Sequence, residues 1–292
     1  MKTAAVLALA ALTLASVPAA RAADGKIAVV AAENFYGDIA RQIGGDRVTI
    51  VSIMNNPDQD PHLFEITPGI VRQIAGAQIA VLNGANYDPW MEKLLSAAPQ
   101  PNRKVIIAAD LMHRQASDNP HLWYDPATMP AVAKAIASAL SAADAAHKND
   151  YAARLSATLA SLERIAQRVA QMKAKHGGAA VTASEPVFGP MAEALGLTMR
   201  NQSFQLSMMN DTEPSARDVA AFENDLKNHK VKVLLYNSQV SEKLTLRLLD
   251  IAKQAKVPVV GVTETQPATM SFQDWILGEL DALDKALSGP NS

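Results

Sequence analysis

Cysteine is absent from all 292 residues. That gap removes disulfides, thiolate-ligated zinc, iron–sulfur clusters, thiol catalysis and a lipid anchor on an N-terminal cysteine. A basic excess is missing too: 27 Lys and Arg stand against 29 Asp and Glu, a formal net charge of −2. Nucleic-acid binders carry a positive face or stripe, so the charge balance argues against such a partner. The helix-borne H-E-x-x-H pattern of metalloproteases and the G-x-S-x-G elbow of hydrolases do not occur. With 14 Gly, 16 Pro and 49% hydrophobic residues the chain is neither disordered nor fibrous.

One apolar run stands out, over residues 4–17, behind Lys2. It is shorter than the ~20 residues of a spanning helix. Ala20-Arg21-Ala22 then supplies small residues at both positions of a signal-peptidase site. The expectation is a cleaved signal over residues 1–22 and an exported, periplasmic protein. The remaining 270 residues carry 25 basic and 29 acidic side chains, a net charge of −4.

Past the signal, short β-type runs alternate with helical stretches. Strands are expected at residues 26–31, 47–54, 78–82 and 104–108, with helices at 35–43, 68–76 and 89–97. The alternation resumes with strands at 179–183, 231–236 and 257–262, and helices at 191–195, 214–228 and 241–256. Between the two series, residues 147–176 contain neither Pro nor Gly. Tyr151, Leu155, Leu159, Leu162, Ile165, Val169 and Met172 recur there at steps of three and four, one face of a long helix. The fold expected is α/β: two lobes, residues 23–146 and 177–292, with mainly parallel sheets flanked by helices. One long rigid backbone helix, 147–176, joins them.

Two of the six histidines sit in nearly the same text. Asp60-Pro61-His62-Leu63-Phe64 and Asn119-Pro120-His121-Leu122-Trp123 both read polar-Pro-His-Leu-aromatic. Helix-start pairs, Thr67-Pro68 and Asp125-Pro126, follow each of them. In the second half, Glu185 and Glu264 follow strand-like runs, where open α/β sheets bind their ligands. Two imidazoles and two carboxylates across a cleft suit Zn(II), Mn(II) or Fe(II). Asp60 and Glu65 flank His62 as candidates to orient its second nitrogen. Asn34, Asn201, Gln202 and Asn237 are candidates to line the cleft but read rather as turn residues, His113, His147, His176 and His229 read as surface histidines, and Met208-Met209 as packing.

These features together resemble the zinc/manganese solute-binding proteins of ABC-type metal importers (cluster A-I). The resemblance spans the whole mature chain and includes the signal, both His frames, the long middle helix and Thr212-Glu213-Pro214-Ser215. It implies two lobes holding one metal ion as cargo, a membrane permease as partner, and a monomer with no catalytic residues. It also implies a ligand set of His62, His121, Glu185, with Phe188-Gly189 behind it, and Glu264, where the family usually has Asp. The chain has no third His ligand and no His-rich loop, which matches the manganese-type members more closely.

Two other readings remain at this level. A binding protein for a chelated metal or organic solute would show an organic molecule in the cleft with both histidines uncoordinated. A periplasmic metallohydrolase would keep an open coordination position and hydrolyse an ester or peptide panel. Under the metal-cargo reading, protons compete for imidazole as pH falls through about 6.5. Retention of Mn(II) or Zn(II) in equilibrium dialysis is therefore expected to weaken below pH ~6. Equal affinity at pH 7.5 and 5.5 would argue against His ligation.

Overall fold

A computed structural model describes residues 25–56, 67–240 and 242–289. The expected signal, residues 1–22, lies outside them, as do Asp60, His62 and Glu65.

The first half builds a four-stranded parallel sheet from β1 (Ile27–Glu33), β2 (Val48–Met54), β3 (Ile79–Leu82) and β4 (Lys104–Ile107), ordered β2-β1-β3-β4. β1 and β3 are apolar almost throughout because helices cover both faces of the sheet. The covering helices are α1 (Asn34–Gly44), α2 (Pro68–Gly76), α3 (Pro89–Ala97), the single turn α4 (Ala108–Leu111) and α5 (Thr128–Ala143). The second half repeats the plan. β5 (Ala180–Ala183), β6 (Thr198–Arg200), β7 (Leu234–Asn237) and β8 (Val259–Val262) form a parallel sheet ordered β6-β5-β7-β8. Helices α7 (Gly189–Ala194), α8 (Gln202–Met209), α9 (Ala216–Lys227), α10 (Lys243–Gln254) and α11 (Phe272–Leu287) accompany it.

Each sheet runs outward in both directions from its first strand. The crevice at this switch point opens at the carboxyl ends of β1 and β3 in one lobe and of β5 and β7 in the other. Between the sheets in sequence lies α6 (Lys148–His176), 29 residues long. Of its expected apolar stripe, Tyr151, Leu162, Ile165, Val169 and Met172 are buried, and Leu155 and Leu159 are half-buried. The stripe packs on α1, α5 and α11, so α6 touches elements of both halves. The largest buried cluster is likewise continuous from Ile27 to Leu287. An aromatic seam crosses it: Phe35 stacks on Trp123 at 4.8 Å between centroids, and Tyr124 meets Phe188 at 5.1 Å and Trp275 at 5.8 Å.

Thr67 caps α2 as expected, its side chain accepting from Ile70 N–H with Pro68 at the first position. The second start signal is displaced: α5 begins at Thr128 without a side-chain cap. Asp125 instead accepts from Ala127 N–H at 2.9 Å, closing a turn before the helix. His176 is not a plain surface residue. Its Nε2 lies 2.6 Å from Asp284 Oδ1, in a cluster with Lys175 and Arg168 that ties α6 to α11.

Hydrogen bonds from Lys175 and then His176 hold the Asp284 carboxyl well below the usual range near 3.8. A depressed carboxyl stabilises the fold above its unfolded value, and that stability is lost as acid protonates it. Asp284→Ala is expected to cost about 1 kcal/mol at pH 7, because most of the partners are partly exposed. In urea unfolding the difference from wild type should shrink towards pH 3; a constant difference would mean that packing, not charge, is lost.

Candidate metal centre

Three of the sequence-derived site residues come together, all on loops at the carboxyl ends of the strands. Glu185 lies two residues past β5 and Glu264 two past β8, while His121 sits between α4 and a 3-10 turn over Leu122–Tyr124. All three are buried, Glu264 to 1% exposure. Buried carboxylates need donors or a cation. Asn237, the last residue of β7, supplies both amide hydrogens: Nδ2 donates to Glu264 Oε1 at 2.7 Å and to Glu185 Oε2 at 3.2 Å. Its Oδ1 accepts from Gln239 N–H, which fixes the orientation of the amide. The reading of Asn237 as a turn residue is thus incomplete, since it bridges the two acids.

His121 is oriented from the opposite side. Asn119 Oδ1 accepts from the His121 backbone N–H and lies 2.7 Å from Nδ1. The same amide turns its Nδ2 to the carbonyl of Pro186 at 2.7 Å, so only the oxygen is free to face the ring. Nδ1 therefore carries a hydrogen, and in the neutral ring the Nε2 lone pair faces Glu264 Oε2 at 3.6 Å. Two lone-pair atoms facing each other across such a gap call for something positive between them. Ligands on a tetrahedral ion at 2.0–2.1 Å stand about 3.4 Å apart, close to this spacing. The approach of Asn119 needs Gly189, where a Cβ would fall 2.6 Å from Nδ2.

Tyr87 completes the hold on Glu264, donating to Oε2 at 3.0 Å. Burial, then the Glu264 charge, pushes its hydroxyl well above the usual phenol range, so it stays a donor. The backbone that delivers it is strained: Gly84, Ala85 and Asn86 all have positive φ, at 74°, 50° and 63°. Asp88 pins this loop by accepting from the N–H groups of Asn83 at 2.7 Å and Gly84 at 2.8 Å. Behind Asp88 lies Glu33, the last residue of β1, whose carboxyl oxygens are buried and, among the described residues, receive no N–H or O–H from a neighbour. Burial, then Asp88, pushes Glu33 well above the carboxylate range, while burial raises Asp88 only to about 6 against its N–H bonds. Glu33 is thus the member of the pair that keeps its proton, which it gives to Asp88.

A cavity of about 430 Å³ leads to His121 and Tyr87 between Asp118 on one side and Leu206, Met209 and Asn210 of α8 and its end on the other. Among the described residues, no group of three or more His, Cys, Asp or Glu side chains makes a metal-holding cluster by itself. His62, Asp60 and Glu65 belong to the loop outside the described residues. Tyr87 and Asn119 were not singled out as site residues from sequence, and Asn237 was named for the cleft only behind a turn role; of the first two, Asn119 had a visible signal, its place in the His frame.

Comparison with known proteins gives a consistent picture. The family model described as zinc-uptake complex component A, periplasmic, matches residues 29–286. The manganese ABC transporter substrate-binding lipoprotein PsaA of Streptococcus pneumoniae is 24% identical over 82% of this chain and 80% of its own. The zinc-binding protein TroA of Treponema pallidum is 26% identical over 82% and 79%. Among solved structures, TroA superposes with a TM-score of 0.76 at 20% identity, covering 91% of this chain and all of TroA. A manganese-bound periplasmic metal-binding protein of Candidatus Liberibacter asiaticus superposes at 0.73 and 18% identity, over 90% of this chain and all of its own.

The acid pair behind Tyr87 is testable by itself. Glu33→Gln is expected to leave stability at pH 7 nearly unchanged, because a neutral donor replaces a neutral donor. Asp88→Asn turns an amide NH₂ towards a backbone N–H and should cost about 1–3 kcal/mol in urea unfolding. The reverse ranking would overturn the assignment of the proton.

Proposed function

The chain belongs to the periplasmic zinc-uptake component A family, and on that footing we propose that it captures a divalent transition metal ion and delivers it to an ABC importer. The cargo is Mn(II) or Zn(II), with Fe(II) a third fit for two imidazoles and two carboxylates. His62, His121, Glu185 and Glu264 are the proposed ligands, with Asp60 and Glu65 beside His62. The observation that carries this reading is the buried gap of 3.6 Å between His121 Nε2 and Glu264 Oε2, both held in place by neighbours that leave those atoms facing each other. The names of relatives that bind manganese and zinc support it.

In this reading the protein supplies every ligand, so no water is activated and no residue is catalytic. The membrane permease of the importer is the partner, and the carrier works in the periplasm as a monomer once residues 1–22 are removed. The division proposed for the mature chain is a lobe over 23–146, the helix over 147–176 and a lobe over 177–292. Interlobe bonds support small lobe motions rather than wide closure: besides those at the site, Asn34 and Gln266 exchange two hydrogen bonds and Asp38 accepts from Phe272 N–H.

Calorimetric titration of the purified apo-protein is expected to give one Mn(II) or Zn(II) per chain. The His62→Ala/His121→Ala double variant should abolish it. Asn119→Ala, which frees the ring without removing a ligand, should weaken binding about 10–100-fold with the circular dichroism unchanged. Unchanged binding in the double variant would end the proposal.

A further inference from the structure

Beneath the Glu264 loop lies a half-buried acid, Glu279, that the ligand set does not use. Glu279 is carried by α11, and its carboxyl is enclosed by Tyr124, Trp275 and the backbone of Thr263. Oε1 accepts from Trp275 Nε1 at 2.9 Å and from Thr263 N–H at 3.3 Å. Oε2 lies 2.8 Å from the Tyr124 hydroxyl, and that hydroxyl also lies 2.8 Å from the carbonyl of Thr263. A phenol has one hydrogen to give, and here two oxygens stand at donor distance. If Glu279 were a carboxylate, either the Thr263 carbonyl or the acid would face a lone pair of Tyr124. Both contacts are satisfied when Glu279 carries the proton. Oε2–H then donates to the Tyr124 oxygen, Tyr124 O–H donates to the Thr263 carbonyl, and Oε1 accepts from both N–H groups.

We propose that Glu279 is a neutral carboxylic acid at pH 7 and a positioning residue for cargo binding, locking the loop of Glu264 to the loop of His121 through Tyr124. The relay is short. Thr263 precedes Glu264, and Tyr124 stands three residues beyond His121 on the other lobe. One proton therefore sets the distance between two proposed ligands without touching the metal. The surroundings agree: burial pushes Glu279 up to about 8 against its hydrogen-bond contacts with Tyr124, Trp275 and Thr263, and burial followed by Glu279 raises Tyr124 as well. The groups facing it are Tyr124 from the 3-10 turn, Trp275 from α11 and Thr263 after β8; the nearest further charge acting on Tyr124 is Glu264. The role in cargo binding rests on Glu264 being a ligand.

The test compares wild type, Glu279→Gln, Glu279→Ala and Tyr124→Phe as full-length mature chains. Glutamine keeps one donor and one acceptor in the same places, so it should rescue the relay. At pH 7 the infrared difference between wild type and Glu279→Gln should contain the carbonyl band of a protonated carboxyl, and titration above pH ~8 should convert it to carboxylate. Zn(II) affinity by competition titration should stay within about 3-fold in Glu279→Gln and fall about 10–100-fold in Glu279→Ala and Tyr124→Phe. Above pH 8.5 wild type should lose affinity that Glu279→Gln retains. Absence of the band, or a glutamine variant as weak as alanine, overturns the proposal. If Glu279→Ala does not fold, Tyr124→Phe, which keeps the ring packing, decides the positioning role. A wild type that binds no metal removes the cargo reading and the positioning role with it. A wild type that binds, with Ala and Phe variants equally tight, removes only the positioning role.

Discussion

Two carboxylates, Glu185 and Glu264, are buried on the same side of one amide, and the rest of the structure is organised around tolerating them. Burying a charge is costly unless it is paired or bonded. Asn237 gives each acid one hydrogen, and Tyr87 gives Glu264 another. Across the gap the neutral His121 ring turns its Nε2 lone pair to Glu264, because Asn119 holds the other nitrogen as a donor. Among the described residues such an assembly is rich in acceptors, the chemistry that the proposed divalent cation would meet.

The lobes are fastened on the same logic. Residues adjacent to the proposed ligands bond to backbone next to ligands on the opposite lobe: Asn119 to Pro186, Tyr124 to Thr263. Under these bonds the aromatic seam of Phe35, Trp123, Tyr124, Phe188 and Trp275 makes one continuous core. The long helix reinforces it by packing on both halves rather than standing free between them. The described part of the candidate site is thus held by bonds and packing from both lobes.

Local strain and buried acids are spent on positioning donors. Three successive positive φ angles bring Tyr87 to Glu264, and the Asp88 carboxylate holds that loop while Glu33 shields it from behind. Two acids with raised values, Glu33 and Glu279, act as donors where one would expect acceptors. Their common cause is burial.

Much of this was legible in the residues alone. The alternation of apolar runs and helical stretches follows from local periodicity, so the two parallel sheets and the helix over Lys148–His176 were expected within a few residues. The repeated His frame and acids just past strand ends depend on local text and on a general rule of α/β sheets, and they brought His121, Glu185 and Glu264 into view. Some elements escaped: β6 has only three residues, α8 carries no clear apolar stripe, and α11 was not expected although it runs for 16 residues with a buried stripe. The bonding partners of Tyr87, Asn119, Asn237 and Glu279 escaped for a different reason. Nothing within five residues of Tyr87 specifies a partner 177 positions away, and the Tyr124–Glu279 contact spans 155. Sequence periodicity encodes which face of an element is buried; only the folded chain decides which buried polar atom meets which, and so where each proton resides.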